Sequence, residues 1–154
     1  MTRDAGELGA AVDAFAECGV ARLWNLYLIV SRNQAIGIEP VIRGDPALAD
    51  WMPTFSLVSG TLPRDLITAP FPTFVNTRGL FAATRFESAK GGTVTFTLTG
   101  TATAAWLNGQ LIKPGATFTA AVKPGANVIV LQLDEKNLPA EIALRSADVT
   151  FLTN

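Results

Sequence analysis

The stretch Gly91–Ile112, GGTVTFTLTGTATAAWLNGQLI, decides the fold. Its first half alternates, with Val94, Phe96 and Leu98 on one side and Thr93, Thr95, Thr97 and Thr99 on the other. A period of two is that of a strand with one buried and one solvated face. Its second half, TAAWLNGQLI, predicts two short strands joined at Asn108-Gly109. Asn-Gly suits a type I′ hairpin turn, which asks both central residues for positive φ.

The pattern continues outward. Lys-Pro-Gly-Ala occurs twice, at 113–116 and 123–126, ten residues apart. Proline fixes φ at the second position of a turn and glycine supplies the positive φ of a type II turn. The two copies bracket a strand, TFTAAV, and launch another, NVIVLQL, which is apolar on both faces and so predicted central in a sheet. AEIALR and DVTFL close the series. Upstream, FVNTRGLFAATRFES supplies one long strand or two short ones, and TFSLVSG a first strand. Turn signals every eight to ten residues predict a mainly β, antiparallel β-sandwich.

The first third differs. Leu8, Val12, Phe15, Val20, Leu23, Leu26 and Val30 step by threes and fours, which draws a helical stripe, with Asp4 and Glu7 spaced as a capping box. The spacing predicts a helix over 5–18 and a second over 21–31. LWNLYLIV (23–30) also reads as a buried strand, because it is rich in strand-forming types. Six prolines between 37 and 72 break helices and confine strands to edges, and GDPALADW offers one helical turn capped by Asp45. The expected organisation is a helical segment over 1–36, a connector over 37–52 and the sandwich over 53–154.

Composition excludes several chemistries. The 154 residues carry 12 basic and 13 acidic side chains, scattered, so neither nucleic acid nor an anionic membrane is expected as a partner. No apolar run reaches the length of a membrane span. There is one cysteine, Cys18, read as a small buried apolar residue rather than a reactive thiol, and no histidine. Serine–histidine and cysteine–histidine catalysis, histidine metal sites and C-x-x-C-H haem attachment are therefore absent from this chain. Phosphate-loop spacing is absent too. Residues 1–14 carry Arg3, Asp4, Glu7 and Asp13 and do not read as a signal peptide. The expectation is an exported protein if the chain is a piece of a larger one, and a cytoplasmic protein otherwise.

The order RFE…GGTVTFTLTGTATAAWLNGQLI…F…VKPGANVIVLQLD…AEIALR resembles the galactose-binding-like jelly rolls, sandwich domains appended to many secreted bacterial hydrolases and oxidoreductases. The shared piece falls on Trp106-Leu107-Asn108-Gly109 and on Pro124 to Ile129. WMPTFSLVSGTLPRDL is similar to one subgroup, the C-terminal jelly rolls of large exported bacterial proteins that also carry a dehydrogenase-type propeller, helical repeats and a haem c module. The resemblance covers roughly residues 50–152. It implies a non-catalytic accessory module that binds carbohydrate or docks against neighbouring domains. Its helical N-terminus would be the end of a preceding repeat. The chain departs from the subgroup in lacking C-x-x-C-H, a propeller and a signal peptide.

Three residues are candidate ligand contacts. Trp106 is either a flat platform under a sugar ring or a packing residue of its hairpin. Asn108 and Asn127 either bond a ligand or serve their turns. The threonine face of 93–99 is either a hydroxyl display or a solvated sheet surface. Glycoside hydrolysis would need a facing carboxylate pair, for which Asp45, Asp50, Asp65, Glu87, Asp134, Glu135 and Glu141 are candidates, yet residues 88–133 contain no acid. No cofactor is implied. A structural calcium, as such jelly rolls often carry, would fall nearest Asp134, Glu135 and Asn137, though no calcium-loop spacing is present. A purely structural or interaction domain without a small ligand remains the competing reading.

Overall fold

The computed structural model describes residues 19–30, 37–48, 50–71 and 77–153. In chain order its elements are β1 (Leu23–Val30), α1 (Glu39–Ile42), β2 (Met52–Phe55), β3 (Leu62–Pro63), α2 (Arg64–Thr68), β4 (Thr77–Ser88), β5 (Gly92–Thr99), β6 (Ala104–Leu107), β7 (Gln110–Ile112), β8 (Thr117–Val122), β9 (Gly125–Leu133), β10 (Glu141–Arg145) and β11 (Thr150–Phe151). They form two antiparallel sheets. One has the order β2-β1-β4-β9-β6-β7, with β11 also on β4; the other has the order β3-β10-β5-β8. The protein is a mainly β, antiparallel sandwich.

Strand β5 keeps the alternation of its sequence: Val94, Phe96 and Leu98 are buried and the four threonines are exposed. Its partner β8 does the same with Phe118, Ala120 and Val122. These side chains meet Leu80, Ala82 and Phe86 of β4, Ile129, Leu131 and Leu133 of β9, and Trp24, Leu26 and Leu28 of β1 in one core. An aromatic run stitches the layers together. Phe118 stacks on Phe96 at 5.3 Å, Phe96 meets Phe86 edge-on at 5.5 Å, and Phe86 meets Phe151 at 5.7 Å. Such pairs add about 0.5–1.5 kcal/mol each beyond the area they bury.

The larger sheet is built on β4. One edge of β4 pairs with β9 over nine positions, from Leu80↔Leu133 to Ser88↔Gly125. The other edge is shared end to end, by β1 along Thr77–Ala83 and by β11 at Phe86 and Glu87. This sheet is covered on its second face as well. Residues 37–48 and Trp51 lie over it, and Val41, Ile42, Leu48 and Trp51 pack on Tyr27, Ile29, Phe81, Ala83 and Val130.

That second layer explains one correction to the sequence reading. Residues 23–30, expected as part of a helix over 21–31, are the strand β1, the alternative their composition also supported. Even positions of β1 face the inter-sheet core and odd positions face the cover, so both periods are apolar and neither shows. The steps Leu23, Leu26 and Val30 mimic a helical stripe for that reason. The sandwich accordingly recruits residues well before 53, and the connector is its outer lining. The helix expected over 5–18, and Cys18, lie outside the described residues.

Smaller differences follow from local bonding. The strand expected in TFSLVSG stops at Phe55, and Leu57–Gly60 turn back, with Gly60 N–H donating to the Leu57 carbonyl at 2.8 Å. GDPALADW makes a turn, in which the Asp45 carboxylate accepts from Ala47 N–H at 2.9 Å. Gly125 takes φ +90° as its turn requires, whereas Gly115 of the first Lys-Pro-Gly-Ala has no positive φ.

Trp24 is fully buried, and its indole N–H has no hydrogen-bond partner. An orphaned donor costs about 1–3 kcal/mol, so the ring is held by its packing alone. Trp24→Ala is expected to lose about 3–5 kcal/mol of unfolding free energy. Trp24→Phe, which deletes the orphan with part of the ring, is expected to lose less than half of that. Urea unfolding of both variants reads the difference; equal losses would contradict it.

Candidate functional site

The hairpin of the opening stretch is a two-residue turn. Asn108 at φ 50° and Gly109 at φ 84° both adopt the positive values that a type I′ turn requires. Trp106 sits on β6 between Val130 of β9 and Leu111 of β7. Its neighbour Leu107 points into the core, so Trp106 points to the outer, covered face. There it is half-buried and lies 6.1 Å from the ring of Phe81. Leu111 beside it is 70% exposed.

The two asparagines, 19 residues apart in sequence, meet. Asn108 donates through Nδ2 to Oδ1 of Asn127 at 2.9 Å. Asn127 is 3% exposed, and its amide is fully engaged. Its Oδ1 also accepts from Lys123 N–H at 3.0 Å, and its Nδ2 donates to the carbonyls of Lys123 and Gly125 at 2.9 and 3.0 Å. With two donors and two lone pairs on an asparagine amide, nothing remains for a ligand. Asn108 Oδ1 accepts from Val128 N–H at 2.9 Å, which fastens the β6–β7 hairpin to β9. The pair locks two turns at one end of the sheet.

Glu87 lies far from Asp134 and its neighbour Glu135. Glu87 pairs with Ala126 at the start of β9, and Asp134 follows Leu133 at its end. Eight strand residues separate them by about 26 Å, far beyond the carboxyl spacing of a glycosidase. Asp134 also accepts from Lys136 N–H at 3.0 Å within its own turn. Among the described residues no three of His, Cys, Asp and Glu gather as a metal-holding group. No described helix is long and apolar enough to cross a membrane.

A cleft of about 570 Å³ opens elsewhere, on the outer face of the larger sheet. Its floor is Leu23 and Asn25 of β1 with Ala83 and Arg85 of β4, and its wall is Gly44, Pro46, Leu48 and Trp51. Asn25 and Ala83 are register partners, so Arg85 is the diagonal neighbour of Asn25, with Cα atoms about 7–8 Å apart. Arg85 is half-buried, and its Nη2 donates to the Gly44 carbonyl at 3.0 Å. Trp51 is fixed twice, by its indole N–H on the Asp45 carbonyl at 2.8 Å and by an edge contact with Tyr27 at 5.1 Å. Gly44 is pressed onto β9: a Cβ there would lie 2.6 Å from Val128, at φ +61°. The loop wall is therefore held at both ends. Volumes near this one are typical of small-ligand sites.

Sequence reasoning named none of Asn25, Trp51 and Arg85 as site residues. A signal was present: Asn25 is the lone amide of the apolar LWNLYLIV, and Arg85 is the lone charge of GLFAATRF. Only the β1–β4 register brings them to one place. Trp106 is not among the residues that line the cleft. Compared with known proteins, the chain matches no protein family, no curated protein and no solved structure.

Removing the amide of Asn127 is expected to cost about 2 kcal/mol of stability, more than Asn108→Gly, which keeps the backbone conformation. The double variant is expected to fall short of the sum, because both single changes break the same Asn108–Asn127 bond. A urea double-mutant cycle measures this, and additivity would show that the bond carries no coupling.

Proposed function

We propose that the chain is a non-catalytic accessory module of galactose-binding-like, jelly-roll type that binds carbohydrate in the outer-face cleft. The observation that carries this reading is the lining of the cleft. A rigid indole and leucine side chains offer apolar surface to the C–H face of a sugar, while the Asn25 amide and the Arg85 guanidinium offer hydrogen bonds to its hydroxyls. Trp51 and Arg85 are already fixed by the protein, so little side-chain entropy is lost on binding. The sequence resemblance over residues 50–152 supports the same class of module.

Affinity electrophoresis in gels loaded with soluble polysaccharides tests the site. Asn25→Ala is expected to weaken retention about tenfold, the loss of one to two hydrogen bonds in a partly dry site. Trp106→Ala, with the near-ultraviolet circular dichroism of the parent, is expected to be retained as the parent is. The reverse outcome would move the site to the β6–β7 hairpin.

A second reading, docking against a neighbouring domain of a larger exported protein, is favoured by one patch. Phe55, Leu57 and Val58 are 57%, 49% and 81% exposed at the edge formed by β2 and the turn after it. Contiguous exposed apolar side chains mark interaction surfaces. They contribute little to this domain's own folding: Leu57→Ser combined with Val58→Ser is expected to change the unfolding free energy by no more than about 0.5–1 kcal/mol. A larger loss in urea unfolding would assign them to the core instead.

A further inference from the structure

We propose that the cleft selects saccharides carrying a carboxylate, and that Arg85 is the residue that reads it. This inference rests on the carbohydrate reading above and names the ligand class within it. Arg85 is a half-buried cation with no carboxylate beside it: among the described residues no acid lines the cleft. The nearest acid on the same face of β4, Glu87, is exposed beyond the cleft, where it pairs with Thr150 of β11. Of the two acids of the adjacent loop, Asp45 caps its own turn through Ala47 N–H, and Asp50 is exposed and does not line the cleft. A guanidinium keeps its charge in proteins, so a partly buried one whose partner is a neutral carbonyl favours an anionic ligand.

The hydrogen-bond count sharpens the class. A guanidinium presents two forked edges, one formed by Nε–H with one Nη2–H and the other by Nη1–H with the second Nη2–H. The Gly44 carbonyl takes a single Nη2–H and so spoils one edge. The other keeps two parallel donors, the arrangement that a planar carboxylate accepts in a bidentate bond. The Gly44 contact also fixes the plane of the fork, and Gly44 is itself fixed against Val128. Asn25, one diagonal step away across the β1–β4 ladder, is placed to bond a hydroxyl of the same ring.

Isothermal titration of the whole chain with a cello-oligosaccharide and with its C6-oxidised, glucuronic counterpart tests the proposal. The two probes differ only in the carboxylate. The oxidised probe is expected to bind about tenfold more tightly or better at low salt, the worth of a charge-assisted hydrogen bond. That ratio is expected to shrink as salt rises. In Arg85→Gln the ratio is expected to fall to near unity, and in Arg85→Lys, which keeps the charge without the fork, to fall between the two. Thermal melts confirm that the variants are folded. Equal binding of both probes by the parent overturns the carboxylate assignment while leaving the carbohydrate reading intact, as does a ratio that survives Arg85→Gln. A sulfated oligosaccharide that matches the oxidised probe shows that charge alone is read, and overturns it too. Absence of binding to every saccharide overturns the carbohydrate reading and this inference with it.

Discussion

The β4–β9 ladder is the constraint on which the rest of the structure depends. Nine paired positions make it the longest ladder of the larger sheet, and along Leu80–Ala83 and Ile129–Leu131 it is apolar on both faces. A strand of that kind cannot leave either face in water without losing about 25 cal/mol for each Å² exposed. Two layers must therefore cover it. The smaller sheet supplies one, through the run of phenylalanines from β8 to β11. Val41, Ile42, Leu48 and Trp51 supply the other, over Tyr27, Phe81 and Val130.

The cleft is a by-product of how that second cover ends. The segment needs glycine at position 44, because its backbone touches Val128 and turns there with positive φ. Beyond Gly44, Leu48 and Trp51 pack on the sheet again, Trp51 edge-on against Tyr27, and with Pro46 they wall the cleft. Between those two anchors the floor is no longer apolar: Asn25 and Arg85 stand where leucine or valine would be expected. The same strands thus hold the fold together in their middle and present polar groups where the cover stops.

How much was legible in the residues differs by element. β5 and β8 declared themselves, because one of their faces is wet and the period of two survives in the sequence. The β6–β7 turn was legible for a different reason, since Asn-Gly is a local conformational demand that needs no tertiary partner. β1 was ambiguous because burial on both sides erases periodicity. The asparagines show a third case. Their types were informative, but each looked equally suited to a turn or to a ligand until their mutual bond accounted for the whole amide of Asn127. Trp106 stood out by its type, yet its half-buried position beside Phe81 is set by a cover that lies some sixty residues upstream in sequence.

The sequence by itself determined the class of the fold, the alternation of the smaller sheet and two tight turns, at Asn108-Gly109 and at Pro124-Gly125. Each of these is written in neighbouring residues, as a period or as a required backbone angle. The tertiary structure decided that residues 23–30 are a strand, that residues 37–48 and Trp51 line the outer face, and that Asn25, Trp51 and Arg85 share one cleft. Those outcomes depend on which surfaces meet across the β1–β4 register and beneath the folded-back connector, and no local pattern records contacts between residues so far apart in the chain.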